Sequence, residues 1–199
     1  QERHSAEALA TPTPDNRMVG FPYTKLLNSN NNVEMAAALV MCSAGRAEAL
    51  GISRDRWVFP HAGTDAHDHW YVSNRDELHE SPAIRLTGRR VLELAGIGLD
   101  DLAHVDLYSC FPSAVQVAAK ELGLGLDRQL TVTGGMSFAG GPWNNYVMHS
   151  IATMVGLLRE DSGARGLVTA NGGYLTKHSM GVYSTEPPAD GFRWESCQS

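Results

Sequence analysis

The chain has 199 residues, enough for one substantial α/β domain built on a single core. Hydrophobic residues make up 43% and charged residues 19%, as in an ordinary globular protein. The net charge of −6, with no basic run, speaks against nucleic acid as the main partner and leaves room only for a local basic patch that holds a phosphorylated cofactor.

The cysteines Cys42, Cys110 and Cys197 are odd in number and lack metal-ligand spacing. They fit free thiols of a cytoplasmic protein better than a disulfide framework. No apolar run reaches the length of a membrane span. Gln1 to Asn16 is polar and holds three acidic residues, so it reads as neither a signal nor a transit peptide. The chain does not start with Met, which suggests that it begins inside a longer protein.

Residues 1–32, rich in Pro, Thr and Asn, predict an extended lead-in, with Asn28 to Asn32 as a turn or helix-start signal. Val33 to Met41 is apolar and small, and reads equally as a buried helix or a strand. Ala44 to Leu50 predicts a short helix closed by Gly51. Arg56 to Pro60 predicts a strand, and Gly63 to Leu78 a polar loop. Ser81-Pro82 opens a helix that runs to Ala95 and stops at Gly96. His104 to Tyr108 predicts a strand, and Pro112 to Leu122 a helix closed by Gly123. Gln129 to Thr133 predicts a strand, followed by the Gly-rich stretch Gly134 to Pro142. Trp143 to Arg159 has helical spacing, with Tyr146, Ile151, Met154, Val155 and Leu158 on one face. Gly166 to Ala170 and Met180 to Ser184 predict the last two strands, joined through a turn at Asn171-Gly172-Gly173. Beyond Glu186 the chain reads as tail, linker or the start of something else.

Strand and helix alternate. That predicts an α/β fold with a mostly parallel five-stranded sheet and helices packed on it. Ligands of such sheets sit beyond the carboxyl ends of the strands. Tyr108 to Phe111, Gly134 to Pro142 and Ala170 to His178 all lie at such ends and are expected to converge.

Each of these segments has a chemical and a structural reading. Tyr108 can give or take a proton, and Cys110 can be a nucleophile if the following helix N-terminus lowers its pKa. Both also fit packed side chains at a strand end. The glycines of 134–142 allow backbone to approach a ligand, or simply make a tight turn; they match neither the P-loop nor the dinucleotide fingerprint. His178 fits a general base and Lys177 a phosphate contact, though a solvated surface turn accounts for both. His61, Asp65, His67, Asp68 and His69 fall close together, without Cys or fixed spacing, and we assign no metal there.

Taken together, these motifs resemble the C-terminal half of thiolases (acetyl-CoA acetyltransferases), most of all thiolase-like proteins of the sterol-carrier-protein-associated branch. The resemblance runs from about Pro22 to Ser184. Asn28 to Leu50 looks like the segment carrying the Ser-Asp-Gly-Ala-Ala turn. Asp106 to Phe111 (DLYSCF) looks like the Asn-Glu-Ala-Phe motif, which is His-Asp-Cys-Phe in that branch. Gly134 to Pro142 looks like Gly-Gly-x-x-x-x-Gly-His-Pro, and Ala170 to Gly173 like Cys-x-Gly-Gly. The departures are specific: Tyr108 stands at the water-binding Asn or His, Gly141 at the activating His, and Ala170 at the second Cys. The family's nucleophilic Cys belongs to the N-terminal half.

The resemblance implies a domain organisation of lead-in (1–32), thiolase-like C-terminal domain (33–186) and tail or linker (187–199). It implies an acyl-CoA-handling acyltransferase with a degenerate active site. The alternatives are a retro-aldol lyase acting on a β-hydroxyacyl-CoA through Tyr108, with Tyr146 as the local second tyrosine, and a non-catalytic CoA-binding subunit. Tyr108, Cys110 and His178 are the expected catalytic residues. Gly140, Gly141, Asn171 and Gly172 are expected to bind coenzyme A or its acyl ester, with no tightly bound cofactor. His149 is a further residue within reach. The expected partners are acyl-CoA, an N-terminal thiolase half in the same parent chain or a separate subunit, and a second copy in a homodimer.

Overall fold

Residues 4–198 are described by the computed structural model. In chain order they form α1 (Ala6–Ala10), β1 (Met18–Gly20), β2 (Tyr23–Thr24), α2 (Ala44–Ala49), β3 (Phe59–His67), α3 (Pro82–Ala95), β4 (Leu102–Asp106), α4 (Pro112–Leu122), α5 (Met136–Ala139), α6 (Tyr146–Glu160), β5 (Arg165–Gly172), β6 (Lys177–Ser184) and β7 (Arg193–Ser196).

The two helices with the clearest punctuation form where expected. Ser81 Oγ accepts a hydrogen bond from Ile84 N at 3.2 Å, and Pro82 opens α3. The helix ends on Gly96 in the left-handed region, φ 68°. Helix α4 starts on Pro112 and ends on Gly123, φ 75°. Helix α6 follows a single 3-10 turn at Trp143–Asn145 and buries Tyr146, Ser150, Met154 and Leu158. Ile151 and Val155, expected inward, are only half-buried.

The main sheet has five strands in the order β4-β5-β6-β3-β7. It is mixed, which corrects the expectation of a mostly parallel sheet. Pairs β4–β5 and β3–β7 are parallel, and β5–β6 and β6–β3 are antiparallel. The turn at Gly173–Thr176 is too short for a crossover, so β5 and β6 must form a hairpin. Membership also differs from the expectation. Residues 129–133 are no ladder strand; Leu130 O only accepts from Leu107 N at 2.8 Å. The fifth strand is β7, from the stretch that reads as tail. It is held by Arg90, whose Nη2 lies 2.7 Å from Glu195 Oε2. Strand β3 runs through to His67, into the expected loop, because Gly63, Thr64 and Ala66 are buried there.

Alternate residues of each strand face opposite sides of the sheet. Leu167, Met180 and Val182 join Ile84, Val91 and Val117 in the main core, under α3 and α4. Val168 instead packs with Met154 and Leu158 of α6, and Tyr183 borders that smaller cluster. Beside α6 this second face leaves an apolar cavity of about 460 Å³, lined by Val58, Val147, Ile151, Val168, Tyr183 and Phe192 among others. Residues 39–41 bound it as well. Val33 to Met41 is neither a buried helix nor a buried strand: it has no assigned element, and Val40 is 92% exposed.

The lead-in has more structure than its composition suggests. Asn16 is buried and donates through Nδ2 to Ala8 O, Leu9 O and Thr11 O, and its Oδ1 accepts from Leu26 N at 2.9 Å. These bonds tie α1 to the β1–β2 hairpin. Among the described residues no helix is long and apolar enough to cross a membrane, and all three cysteines are free.

Candidate functional site

Strand β4 ends on Asp106, whose side chain is fully buried. A buried carboxylate must be hydrogen-bonded. Oδ1 accepts from Val132 N at 2.8 Å and Thr133 N at 3.3 Å. Oδ2 accepts from Ser150 Oγ at 2.6 Å and Tyr146 Oη at 3.4 Å. Tyr146 Oη is also 2.6 Å from Thr133 Oγ1. One carboxylate thus joins the end of β4, the approach to the Gly-rich turn and the first turn of α6.

Tyr108 stands next to this network. Its backbone N–H donates to Thr169 Oγ1 at 2.9 Å, which ties the strand end to β5. Its ring meets that of Tyr146 edge-on, with centroids 5.4 Å apart and an interplanar angle of 85°. Burial, together with neighbouring Cys110 and Tyr146, pushes the phenol pKa up to about 12. At neutral pH this phenol therefore holds its proton, and it can act as a donor. Burial raises the Cys110 thiol as well, against a hydrogen bond from Asn171 Nδ2 to Sγ at 3.7 Å. Cys110 accordingly stays a thiol, the weaker nucleophilic form.

Asn171 and His178 are direct partners across β5 and β6. Asn171 Oδ1 is buried and has no hydrogen-bond partner among the described residues. His178 is buried, with Nε2 3.3 Å from Asp68 Oδ2 and 3.4 Å from Ser81 Oγ. Ser81 Oγ donates to Asp68 Oδ2 at 2.5 Å, and Ala83 N donates to Oδ1 at 3.2 Å. Burial by itself would raise the Asp68 carboxyl; the bonds from His178, Ser81 and Ala83 outweigh it and leave the pKa lowered. Tyr108, Ala170, Asn171 and His178 line one cleft of about 10 Å³, room for about one water molecule. The fold thus gathers Tyr108, Cys110, Asn171 and His178 at one place, with the His178 ring engaged by Asp68. Lys177 is exposed.

Arg75 holds the adjoining turn. Its Nη1 donates to Tyr174 O at 2.6 Å, Nη2 to His69 O at 3.1 Å and to Thr176 Oγ1 at 3.0 Å, and Nε to His69 O at 3.3 Å. The His/Asp-rich loop is therefore a clamp on the turn after β5. His61 and His67 bond to backbone carbonyls of Glu186 and Asp68. Among the described residues no three His, Cys, Asp or Glu side chains gather as a metal-ligand set.

Gly140 and Gly141 lie against the lead-in on the side where a side chain would stand. A Cβ on Gly140 would fall on Met35 Sδ, and one on Gly141 on Ser29 Oγ. Gly172 similarly faces the Lys177 side chain, with Cε 2.9 Å from a built Cβ. His149 lies on α6 beside the site, Nε2 3.4 Å from Asn145 Nδ2.

Sequence reasoning missed the Asp106 network and the packing of Ser29 against Gly141. A carboxylate inside an apolar strand was a signal for the first, since Asp is rarely fully buried without partners. Nothing local marked Ser29.

No family model and no curated protein matches this chain. Among solved structures it is similar to a monomeric SCP2-thiolase like protein type 1 from Mycobacterium smegmatis. That similarity has a TM-score of 0.83 and 39% identity, and covers 92% of this chain and 41% of the other. The chain thus spans well under half the length of the protein it matches. The mixed sheet between α3–α4 and α6, the Gly-rich turn and this likeness agree: the chain belongs to the thiolase-like proteins of the sterol-carrier-protein (SCP2) branch.

Proposed function

We propose that this chain is the acyl-CoA-handling part of a thiolase-like acyltransferase in which the Tyr108 phenol does the proton work. The observation that carries this reading is the position and protonation of Tyr108: half-buried at the end of β4, edge-on to Tyr146, and protonated well above neutral pH. When a bond between the α- and β-carbons of an acyl thioester breaks, its electron pair stays on the α-carbon as an enolate. The enolate must then be protonated. Gly141 and Ala170 have no proton to give, whereas Tyr108 has one. The acyl fragment passes to a thiolate, which this reading takes from residues beyond these 199 because Cys110 is held protonated.

A second reading, a retro-aldol lyase, is favoured by the Tyr108–Tyr146 pair and needs no thiolate. The substrate's β-hydroxyl gives its proton to a base, for which His178 in the same cleft is the candidate, as the carbonyl forms and the bond between the α- and β-carbons breaks; Tyr108 protonates the thioester enolate and regains its proton from that base. Both readings share the acyl-CoA ligand and Tyr108.

We assign residues 33–196 to the thiolase-like C-terminal domain, past the expected limit of 186 because β7 pairs with β3, and take it to be completed by the rest of the same chain or by a partner, in the cytoplasm. The similar protein is described as monomeric, so we propose one copy rather than the homodimer expected from the family.

The test is turnover of β-keto- and β-hydroxyacyl-CoA by the protein beside Tyr108→Phe, with mass spectrometry for a covalent acyl-enzyme. Acylation of a cysteine marks the transferase, and cleavage without a covalent species marks the lyase. CoA binding with no turnover in either protein sinks both and leaves a binding subunit.

A further inference from the structure

We infer that Asp68 is a positioning residue for His178: it holds the ring with its hydrogen on Nε2 and leaves Nδ1 as the nitrogen that takes a proton in the reaction. The proton transfer rests on the lyase reading above. The placement of the hydrogen does not.

Asp68 directly follows β3 and is fixed from two sides. Its backbone N–H donates to Thr176 O at 2.8 Å, in the turn before β6. Its carboxylate sits at the first turn of α3, where Ala83 N donates to Oδ1 at 3.2 Å and Ser81 Oγ donates to Oδ2 at 2.5 Å. A helix N-terminus favours an ionised carboxylate, in line with the lowered pKa of this group. His178 is the second residue of β6, on the far side of the same turn, and is buried.

The place of the ring hydrogen follows from the groups around Nε2. This nitrogen is 3.3 Å from Asp68 Oδ2 and 3.4 Å from Ser81 Oγ. An ionised carboxylate only accepts, and the Ser81 hydrogen is already given to Asp68. Neither oxygen has a hydrogen to offer, so Nε2 must bring its own. A neutral imidazole has a single N–H, which leaves the lone pair on Nδ1.

The same ring lines the cleft that holds Tyr108. In the lyase reading Nδ1 takes the proton of the substrate's β-hydroxyl as the bond between the α- and β-carbons breaks. The ring is then an imidazolium, and the Asp68 carboxylate beside it stabilises that charge. Once Tyr108 has protonated the enolate, Nδ1 passes its proton to the phenolate, and both groups are restored. Asp68 itself touches no substrate and acts through His178.

The test has two arms. The first is nitrogen-15 NMR of histidine-labelled protein at about pH 8.5, above the ordinary histidine range, with His178 identified by its loss in His178→Gln. The parent is expected to carry the His178 hydrogen on Nε2. Asp68→Asn is expected to move it to Nδ1: Ala83 N keeps the amide oxygen in the place of Oδ1, so the amide nitrogen takes the place of Oδ2 and donates to Nε2. The second arm is turnover of a β-hydroxyacyl-CoA. Asp68→Asn is expected to lower kcat about 100-fold with KM nearly unchanged, and to cost nothing further in a His178→Gln background. A parent ring with its hydrogen on Nδ1, or on both nitrogens, overturns the inference, and this result needs no variant to fold. A moved hydrogen with unchanged kcat, or losses that add in the double variant, overturns the role of Asp68 in the proton transfer. A parent with the expected ring and no turnover overturns the lyase reading and the proton transfer with it, while the placement of the hydrogen stands.

Discussion

Ser150 donates to Asp106 Oδ2 at 2.6 Å across 44 residues of sequence, and neither side chain is exposed. This bond closes a polar network inside an apolar core, and its members come from three separate stretches of chain. Every group that faces Asp106 there is a donor. Asp106→Asn would bring an amide N–H up against donors already in place. A loss of about 2–4 kcal/mol is expected, read as a lower denaturant midpoint with an unchanged slope.

Tyr108 allows a test by titration. A difference titration of tyrosinate absorbance is expected to show a component near pH 12 that disappears in Tyr108→Phe. The sign for stability follows. The folded pKa lies above the ordinary value of 10, so the contribution is complete below pH 10 and is lost as pH rises toward 12. A Tyr108 component titrating at 10 would remove the argument that this phenol is a buried donor.

Asp68 carries the opposite sign. Its folded pKa is lowered from 3.8, so the stability it contributes is present above that value and is lost as pH falls through the folded pKa. Asp68→Asn is expected to be less stable than the parent at pH 7, with the gap narrowing below pH 3.8. A gap that stays constant down to acid unfolding would show that shape, not charge, holds His178 and Ser81.

Arg75→Ala is expected to loosen the turn after β5. Amides of Tyr174 to Thr176 should exchange with solvent faster, while those of β4 stay protected. The global cost is about 1–2 kcal/mol for the lost bonds to carbonyls and a hydroxyl. Uniform exchange across the sheet would mean that the clamp acts on the whole fold.

Gly140→Ala tests how the lead-in is seated. The residue has φ 95°, and its Cβ would run into Met35. A cost of about 1–3 kcal/mol is expected, together with faster protease cleavage within residues 28–35.

Several elements could be read from local signals because their punctuation was strong. Ser81-Pro82 and Gly96 bound α3, and Pro112 and Gly123 bound α4, residue for residue. Strand β7 had no such mark: its place depends on Arg90 reaching Glu195 and on the small residues of β3, contacts that exist only after folding. Sheet direction was misjudged because alternating strands and helices suggest crossovers, whereas the β5–β6 turn makes a hairpin. In the site, Tyr108 was visible as a titratable residue at a strand end. The packing of Ser29 against Gly141 was invisible because it depends on the missing side chain of a residue more than a hundred positions away.

The position of β6 bears on how the chain acquires its structure during synthesis. It pairs with β5 just before it, but also with β3, matching Phe59 to Ser184. Until the ribosome has delivered β6, β3 has no antiparallel neighbour, and its apolar residues wait uncovered. Closing so long a loop costs entropy before any ladder bond repays it. A slow refolding phase that vanishes in chains ending before Lys177 is the expected trace, along with greater dependence of such truncated chains on chaperones.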